Sequence, residues 1–224
     1  MKARQAATLE AISRIGHDMR TPLTLIRGAA TLLVSSYEQL PPDRALQMLR
    51  LIELGVETLT DQVEDLIASY HLEAGDLRLQ VERVEVARII EPVLDAVRRR
   101  EERPIELVGV ERRVQVKADR ERAMQALRAL VTNAVRFSPS GQPVEVTVSG
   151  GRKQVTIEVQ DRGPGIPARD RELVFERFAR LPRAGAGAGL GLYLARGLAR
   201  AMGGDVGFRP RRDGGSVFWF TLSC

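Results

Sequence analysis

Apolar residues recur every three or four positions through the first seventy residues: Ile12, Ile15, Met19, Leu23, Ile26, Ala30 and Leu33, then Leu46, Leu49, Ile52, Val56, Leu59, Val63, Leu66 and Tyr70. At about 100° per residue each set falls in one narrow stripe, the mark of an amphipathic helix. Pro41-Pro42-Asp43 separates the two sets, so the pattern predicts a helical hairpin with arms roughly 40 Å long. A lone pair of such arms leaves one side of its seam wet. A second copy of the chain is the expected cover, giving a homodimeric four-helix bundle; the rival cover is the chain's own C-terminal half.

After Glu73-Ala74-Gly75-Asp76 the texture changes to short alternating runs rich in Val and Ile. Residues 1–75 are therefore read as the hairpin domain and 76–224 as a second domain. Strands are expected at Leu77–Val81, Ile105–Val108, Val114–Lys117, Val144–Ser149, Gln154–Gln160, Asp205–Arg209 and Ser216–Leu222. Helices are expected at Arg120–Phe137, near Arg171–Phe178 and at Leu190–Met202, and the run Arg98–Arg103 reads as a solvated helix end. Strand pairs mixed with helices that do not strictly alternate point to an α+β sandwich, one sheet covered by helices on one face.

Composition narrows the class. The chain has 224 residues, 34 of them basic and 29 acidic, for a net charge of +5. The charges are interspersed and aromatics are only 4%, which argues against a nucleic-acid interface. No apolar run reaches the roughly 20 residues of a membrane span, and the first residues lack a secretory segment. The single cysteine, Cys224, excludes a disulfide framework and a cysteine zinc site; a reducing, cytoplasmic setting is expected.

Two regions can carry chemistry. His17 lies opposite the apolar stripe of the first helix and is expected to face solvent, with Thr21 beside it and Arg20 and Thr24 bordering. Asp18 follows it in the chain. A neutral imidazole is a competent nucleophile when an acid orients or deprotonates its other ring nitrogen; the alternative, a satisfied core histidine, is weakened by the outward angle. Pro22 inside the helix is structural, and His71 reads as a histidine of a helix's last turn. The second region holds two glycine-dense segments, Asp161-Arg162-Gly163-Pro164-Gly165-Ile166-Pro167 and Gly185–Leu192. Neither matches the P-loop, and the second follows a helix end and a basic loop rather than a strand, so a dinucleotide fold fails on context. What remains is a glycine loop running into a helix N-terminus, which favours phosphate; a plain linker is the alternative. Asp161 ends an apolar-alternating strand, and a buried carboxylate there needs a donor such as an adenine amino group.

Taken together these segments resemble the transmitter core of two-component sensor histidine kinases. His17-Asp18-Met19-Arg20-Thr21-Pro22-Leu23 resembles the phospho-acceptor motif and Thr132-Asn133-Ala134-Val135-Arg136-Phe137-Ser138 the asparagine box. Asp161–Gly165 resembles the first glycine box, Phe175-Glu176-Arg177-Phe178 the phenylalanine box and Gly187–Gly191 the second glycine box. The resemblance implies a dimerisation and histidine-phosphotransfer hairpin followed by an ATP-binding α+β sandwich of the gyrase/histidine-kinase type. It also implies autophosphorylation from ATP and Mg²⁺, and phosphoryl transfer to an aspartate of a response regulator's receiver domain. On it His17 is the nucleophile, Asp18 its assisting acid, Asn133 the Mg²⁺ ligand and Asp161 the adenine contact. Gly163 and Gly165 admit the nucleotide, and Gly187, Gly189 and Gly191 shape the phosphate-side loop and lid, which Phe175 and Phe178 anchor. Thr21 matches the position that places hydrolytic water in bifunctional kinase/phosphatases.

Two positions depart from the pattern: Ala129 stands where a second asparagine is usual, and Arg136 where lysine is usual. Arginine still pairs with phosphate, as a planar fork rather than a point charge. Transfer to His17 would require the domains to move about Glu73–Leu77. The rival functions are an ATPase of the gyrase or chaperone kind that never labels itself, and a regulator-binding scaffold that does not use ATP. With only 16 residues before His17, the sequence reads as part of a longer, membrane-anchored or soluble parent.

Overall fold

The computed structural model describes the backbone of all residues except 1, 101–103, 110–113, 152 and 180–188, and side chains from residue 13 onward outside those gaps. Helices α1 (Lys2–Ser36) and α2 (Pro42–Ala74) form the expected hairpin. The described residues fall into two compact units, one up to Ile67 and one from Ala68.

In the first unit, Pro22 and Ala29 of α1 are buried, as is Gly55 of α2. A Cβ on Gly55 would lie 2.5 Å from Ile26 Cγ1, so glycine there lets the arms approach. Leu23, Leu46, Leu49, Val56 and Val63 remain exposed. The hairpin's own seam thus runs along one border of the apolar stripes and leaves the rest uncovered.

The second unit opens with the last turns of α2, where Ala68 and Ser69 are fully buried. A small antiparallel pair, β1 (Glu82–Glu85) with β3 (Gln115–Ala118), accompanies a five-stranded sheet. Its order is β2 (Ile105–Val108), β4 (Val144–Gly150), β5 (Gln154–Gln160), β7 (Ser216–Ser223), β6 (Asp205–Pro210). Only the β2–β4 pair is parallel. Strands β4 and β5 bury alternate residues, Val144, Val146 and Val148 in the one and Val155, Ile157 and Val159 in the other, with Val146 facing Val159 and Val148 facing Ile157, as a sheet covered on one face must. The cover is α3 (Ala87–Arg100), α4 (Arg120–Phe137) and α5 (Gly191–Ala201), whose Ile90, Leu94, Leu127, Leu130 and Leu198 share one core with Ile157 and Phe220. The chain is thus a helical hairpin followed by an α/β sandwich.

Two expected elements are corrected. Leu77–Val81 alternates in burial but has no ladder partner; the strand starts at Glu82, and the Gln80 N–H donates instead to Asp119 Oδ2 at 2.8 Å. The other Asp119 oxygen accepts from Arg122 N at 3.1 Å and caps α4, a bond worth about 1 kcal/mol. Near Arg171–Phe178 there is no α-helix, only 3₁₀ turns at Ala168–Asp170 and Leu173–Phe175. Glu176 is extended and Phe178 has φ +65°, which a right-handed helix cannot accommodate. The pattern also left α3 unread apart from its basic end; Pro92 inside it is a helix breaker on sequence rules.

Close packing at the α5–β6 turn gives a stability test. A Cβ on Gly204 would lie 1.9 Å from the Thr221 carbonyl oxygen, and backbone cannot step aside cheaply. Gly204→Ala should destabilise the second unit by about 1–3 kcal/mol, seen as a lower urea midpoint for its unfolding transition.

Candidate functional site

The hairpin places one side chain outward and its neighbour inward. His17 is 70% exposed while Asp18 is 16% exposed, with Asp18 Oδ1 3.7 Å from His17 Nδ1. The second carboxylate oxygen of Asp18 is buried with no hydrogen-bond partner. Thr21 is exposed one turn on. Pro22 has no N–H, so the Asp18 carbonyl loses its usual helical donor.

In the second unit the chemistry gathers where β5 ends. Asp161 is 2% exposed. Its Oδ1 accepts from Gly163 N at 2.8 Å and Ser216 N at 3.1 Å, and its own N–H donates to Ser216 O at 2.9 Å. Burial pushes its pKa above the ordinary aspartate value; the Gly163 and Ser216 amides, the Ser216 hydroxyl and the Arg211 charge oppose that rise. Both amides converge on Oδ1, and a carboxylate offers roughly four acceptor positions, so capacity for a further donor remains. A Cβ on Gly163 would sit 2.7 Å from Phe137 O and 2.9 Å from Asp161 Oδ1, so only glycine keeps this cradle clear. Gly165 adopts φ +71°, a turn that favours glycine.

Helix α4 joins this cradle to the second glycine segment. Ala129, Asn133, Arg136 and Phe137 follow each other at helical spacing along one side. Ala129 Cβ lies 3.6 Å from where a Cβ of Gly191, first residue of α5, would be, and the Phe137 carbonyl faces Gly163. The two glycine segments thus border α4 about 12 Å apart. Asn133 is half-buried between them and Arg136 is exposed, its guanidinium 5.2 Å from the Phe137 ring. The end of α4 is tied to the cradle through Ser138 Oγ, which accepts from Arg162 N at 3.2 Å.

Gly189 has φ +73°, and a Cβ there would lie 2.6 Å from Ala179 O. Phe178 N donates to Gly189 O at 2.9 Å. Phe175 is buried edge-on to Phe218 with Arg196 stacked on its ring. Arg177 stacks on Phe178, hydrogen-bonds Ser69 Oγ at 3.1 Å and pairs with Glu73, fixing the root of the glycine segment. Gly187 lies outside the described residues.

Sequence reasoning missed four contributors. Ser216 supplies a backbone donor to Asp161, and Gly215, at φ +96°, would place a Cβ 2.1 Å from the Asp161 carbonyl oxygen. The pair Gly214-Gly215 was the available signal. Glu145 accepts from Arg162 at 3.0 Å and from Arg211 at 3.1 Å. Bonding to Arg162 first, then to Arg211, against the opposing effect of burial, holds its carboxyl below the ordinary range. No spacing rule announces that cluster.

The fit of larger groups follows from these donors. The open acceptor position on Asp161, beside a cleared glycine turn, suits an amino group on a flat base. Among the described residues no three His, Cys, Asp or Glu side chains gather for a metal. The amide oxygen of Asn133 suits Mg²⁺, which takes few protein ligands and completes its shell with phosphate and water.

Two family models match: residues 7–75 fit the His Kinase A (phospho-acceptor) domain and residues 118–224 the Histidine kinase-, DNA gyrase B-, and HSP90-like ATPase. The chain is 28% identical over 95% of its length to the sensor histidine kinase WalK of Bacillus subtilis, covering 36% of that protein. It is 34% identical over 92% of its length to the signal transduction histidine-protein kinase/phosphatase MprB of Mycolicibacterium smegmatis, covering 42% of it. The chain thus spans about two-fifths or less of these relatives. Among solved structures, the Acinetobacter baumannii histidine kinase AdeS aligns at TM-score 0.62 and 26% identity, covering 92% of this chain and 97% of that one. Full-length ShkA in complex with AMPPNP aligns at 0.63 and 29%, covering 95% of this chain and 45% of that one.

The raised pKa of Asp161 fixes the sign of a pH effect. A carboxyl whose folded pKa exceeds its unfolded value costs stability when ionised, and the cost vanishes as pH falls below the unfolded value, about 3.9. Asp161→Asn keeps an acceptor for the Gly163 and Ser216 amides. It should raise the melting temperature at neutral pH, with the gain disappearing in melts near pH 3.5.

Proposed function

The chain belongs to the sensor histidine kinases of two-component systems, whose transmitter core it carries, and on that premise we propose that it moves the γ-phosphoryl group of ATP to His17 and then to an aspartate of a response regulator. Residues 1–75 serve as the dimerisation and phosphotransfer domain and 76–224 as the ATP-binding domain. The observation that carries the reading is the pairing at positions 17 and 18, an outward imidazole with an inward carboxylate at its Nδ1. A histidine kept only for packing has no use for that arrangement.

Asp161 receives the adenine amino group, and Gly163 and Gly165 let the base lie against the backbone. Asn133 is the ligand for Mg²⁺, which when bound neutralises charge on the phosphate oxygens. Arg136 and the amides around Gly187, Gly189 and Gly191 hold the triphosphate. In the transfer step the Nε2 lone pair of His17 forms the N–P bond as the bond from phosphorus to the bridging oxygen breaks and ADP departs with that electron pair. Asp18 takes up the Nδ1 proton of the resulting imidazolium, leaving a neutral phosphohistidine. Attack by a regulator aspartate then releases the imidazole again. Thr21, exposed one turn from His17, is placed to orient water for hydrolysis of the phosphorylated regulator. The uncovered apolar stripe formed by Leu46, Leu49, Val56 and Val63 is the seam for a second copy.

Purified protein incubated with radiolabelled ATP and Mg²⁺ should acquire acid-labile, base-stable label. His17→Gln should abolish the label and leave binding of a fluorescent nucleotide intact, whereas Asp161→Asn should weaken that binding at least tenfold. Phosphate release without labelling would instead support an ATPase that never modifies itself, and absence of saturable binding a scaffold.

A further inference from the structure

Among the described residues of the hairpin, two buried oxygens have no hydrogen-bond partner: Asp18 Oδ2 and Gln62 Oε1. They belong to opposite arms, and the register brings them together. Gly55 of α2 meets α1 between Pro22 and Ile26, its built Cβ lying 2.5 Å from Ile26 Cγ1 and 3.2 Å from the Pro22 carbonyl oxygen. Gln62 follows Gly55 by two helical turns, about 10 Å along α2. Asp18 precedes the Pro22–Ile26 contact by about 9 Å along α1. In antiparallel arms these displacements run the same way, so both residues reach the same level. Both also point into the seam, Asp18 at one turn from buried Pro22 and Gln62 at seven residues from buried Gly55.

Two partnerless acceptors at one level of a buried seam are unfavourable, since each lacks the donor that burial demands. A half-turn about the last side-chain bond of Gln62 exchanges its oxygen for its NH₂ and supplies one. Arg14, Asp61 and Asp65 border the seam but have interactions of their own, and the Asp18 oxygen is without a partner in spite of them. We infer that Gln62 is a positioning residue for Asp18: its amide donates to the inner carboxylate oxygen and leaves the outer oxygen, 3.7 Å from His17 Nδ1, to orient the imidazole. A carboxylate held at one oxygen cannot swing away from the ring. The inference rests on the phospho-acceptor reading of His17, and it adds a residue that no phospho-acceptor spacing identifies, 45 positions along the chain.

The test is a double-mutant cycle on the rate of labelling from ATP, using Gln62→Met, Asp18→Ala and the double variant. Methionine keeps the volume and removes the donor. Gln62→Met should lower kcat about five- to tenfold with the KM for ATP unchanged, and should change nothing further in the Asp18→Ala background. An equal loss in both backgrounds, or no loss in either, overturns the inference. NMR reads the same contact without catalysis: Asp18→Asn should move the Gln62 side-chain NH₂ resonances, and Gln62→Met the His17 ring-nitrogen shifts. Unmoved resonances overturn the inference even if Gln62→Met fails to fold. A wild-type chain that takes no label but shows both shifts would sink the kinase reading and leave the positioning contact standing.

Discussion

A carboxylate at 2% exposure is the constraint around which the second unit is arranged. Water cannot solvate Asp161, so the chain supplies donors in its place. Gly163 must follow at once so that its amide can turn back, and Ser216 must start β7 level with the end of β5. Gly215 must have no side chain, because one would strike the Asp161 backbone. The cluster of Glu145, Arg162 and Arg211 then braces the same end of the sheet from outside. The acceptor capacity left on the carboxylate has a fixed direction, which suits a flat base carrying an amino group. The arrangement sacrifices stability for recognition, since the ionised group is destabilising where it sits.

The hairpin solves a different problem. On the proposed reading the nucleophile has to meet substrate, yet the group that assists it works best out of water. Adjacent positions on a helix point about 100° apart, which is enough to put His17 in solvent and Asp18 at the seam. Gly55 lets the two arms approach closely at the level of Pro22 and Ile26.

Much of this was legible beforehand because it rests on periodicity and on short motifs. Helix α4 and strand β5 occupy the stretches expected of them, and strict alternation marks the strand. The position of His17 followed from its angle to the apolar stripe. The failures share a cause: in each, a distant residue decides the local structure. Leu77–Val81 alternates like a strand, but its bonding is diverted to the side chain of Asp119, 39 residues from Gln80. Phe178, in a left-handed conformation, bonds Gly189 and lies under Arg177, which is itself tied to Ser69 and Glu73 at the end of α2, and these contacts override a helical pattern. Ser216 carries no motif, and its bonding to Asp161 emerges only once β7 lies beside β5.

Asp119 uses one oxygen to cap the helix that bears Asn133 and the other to hold the approach segment at Gln80. Neither tie can be released by turning the carboxylate without straining the other. The amides of Gln80 and Arg122, far apart in the chain, therefore share a single latch, and exchange of their protons with solvent is governed by one opening event instead of two.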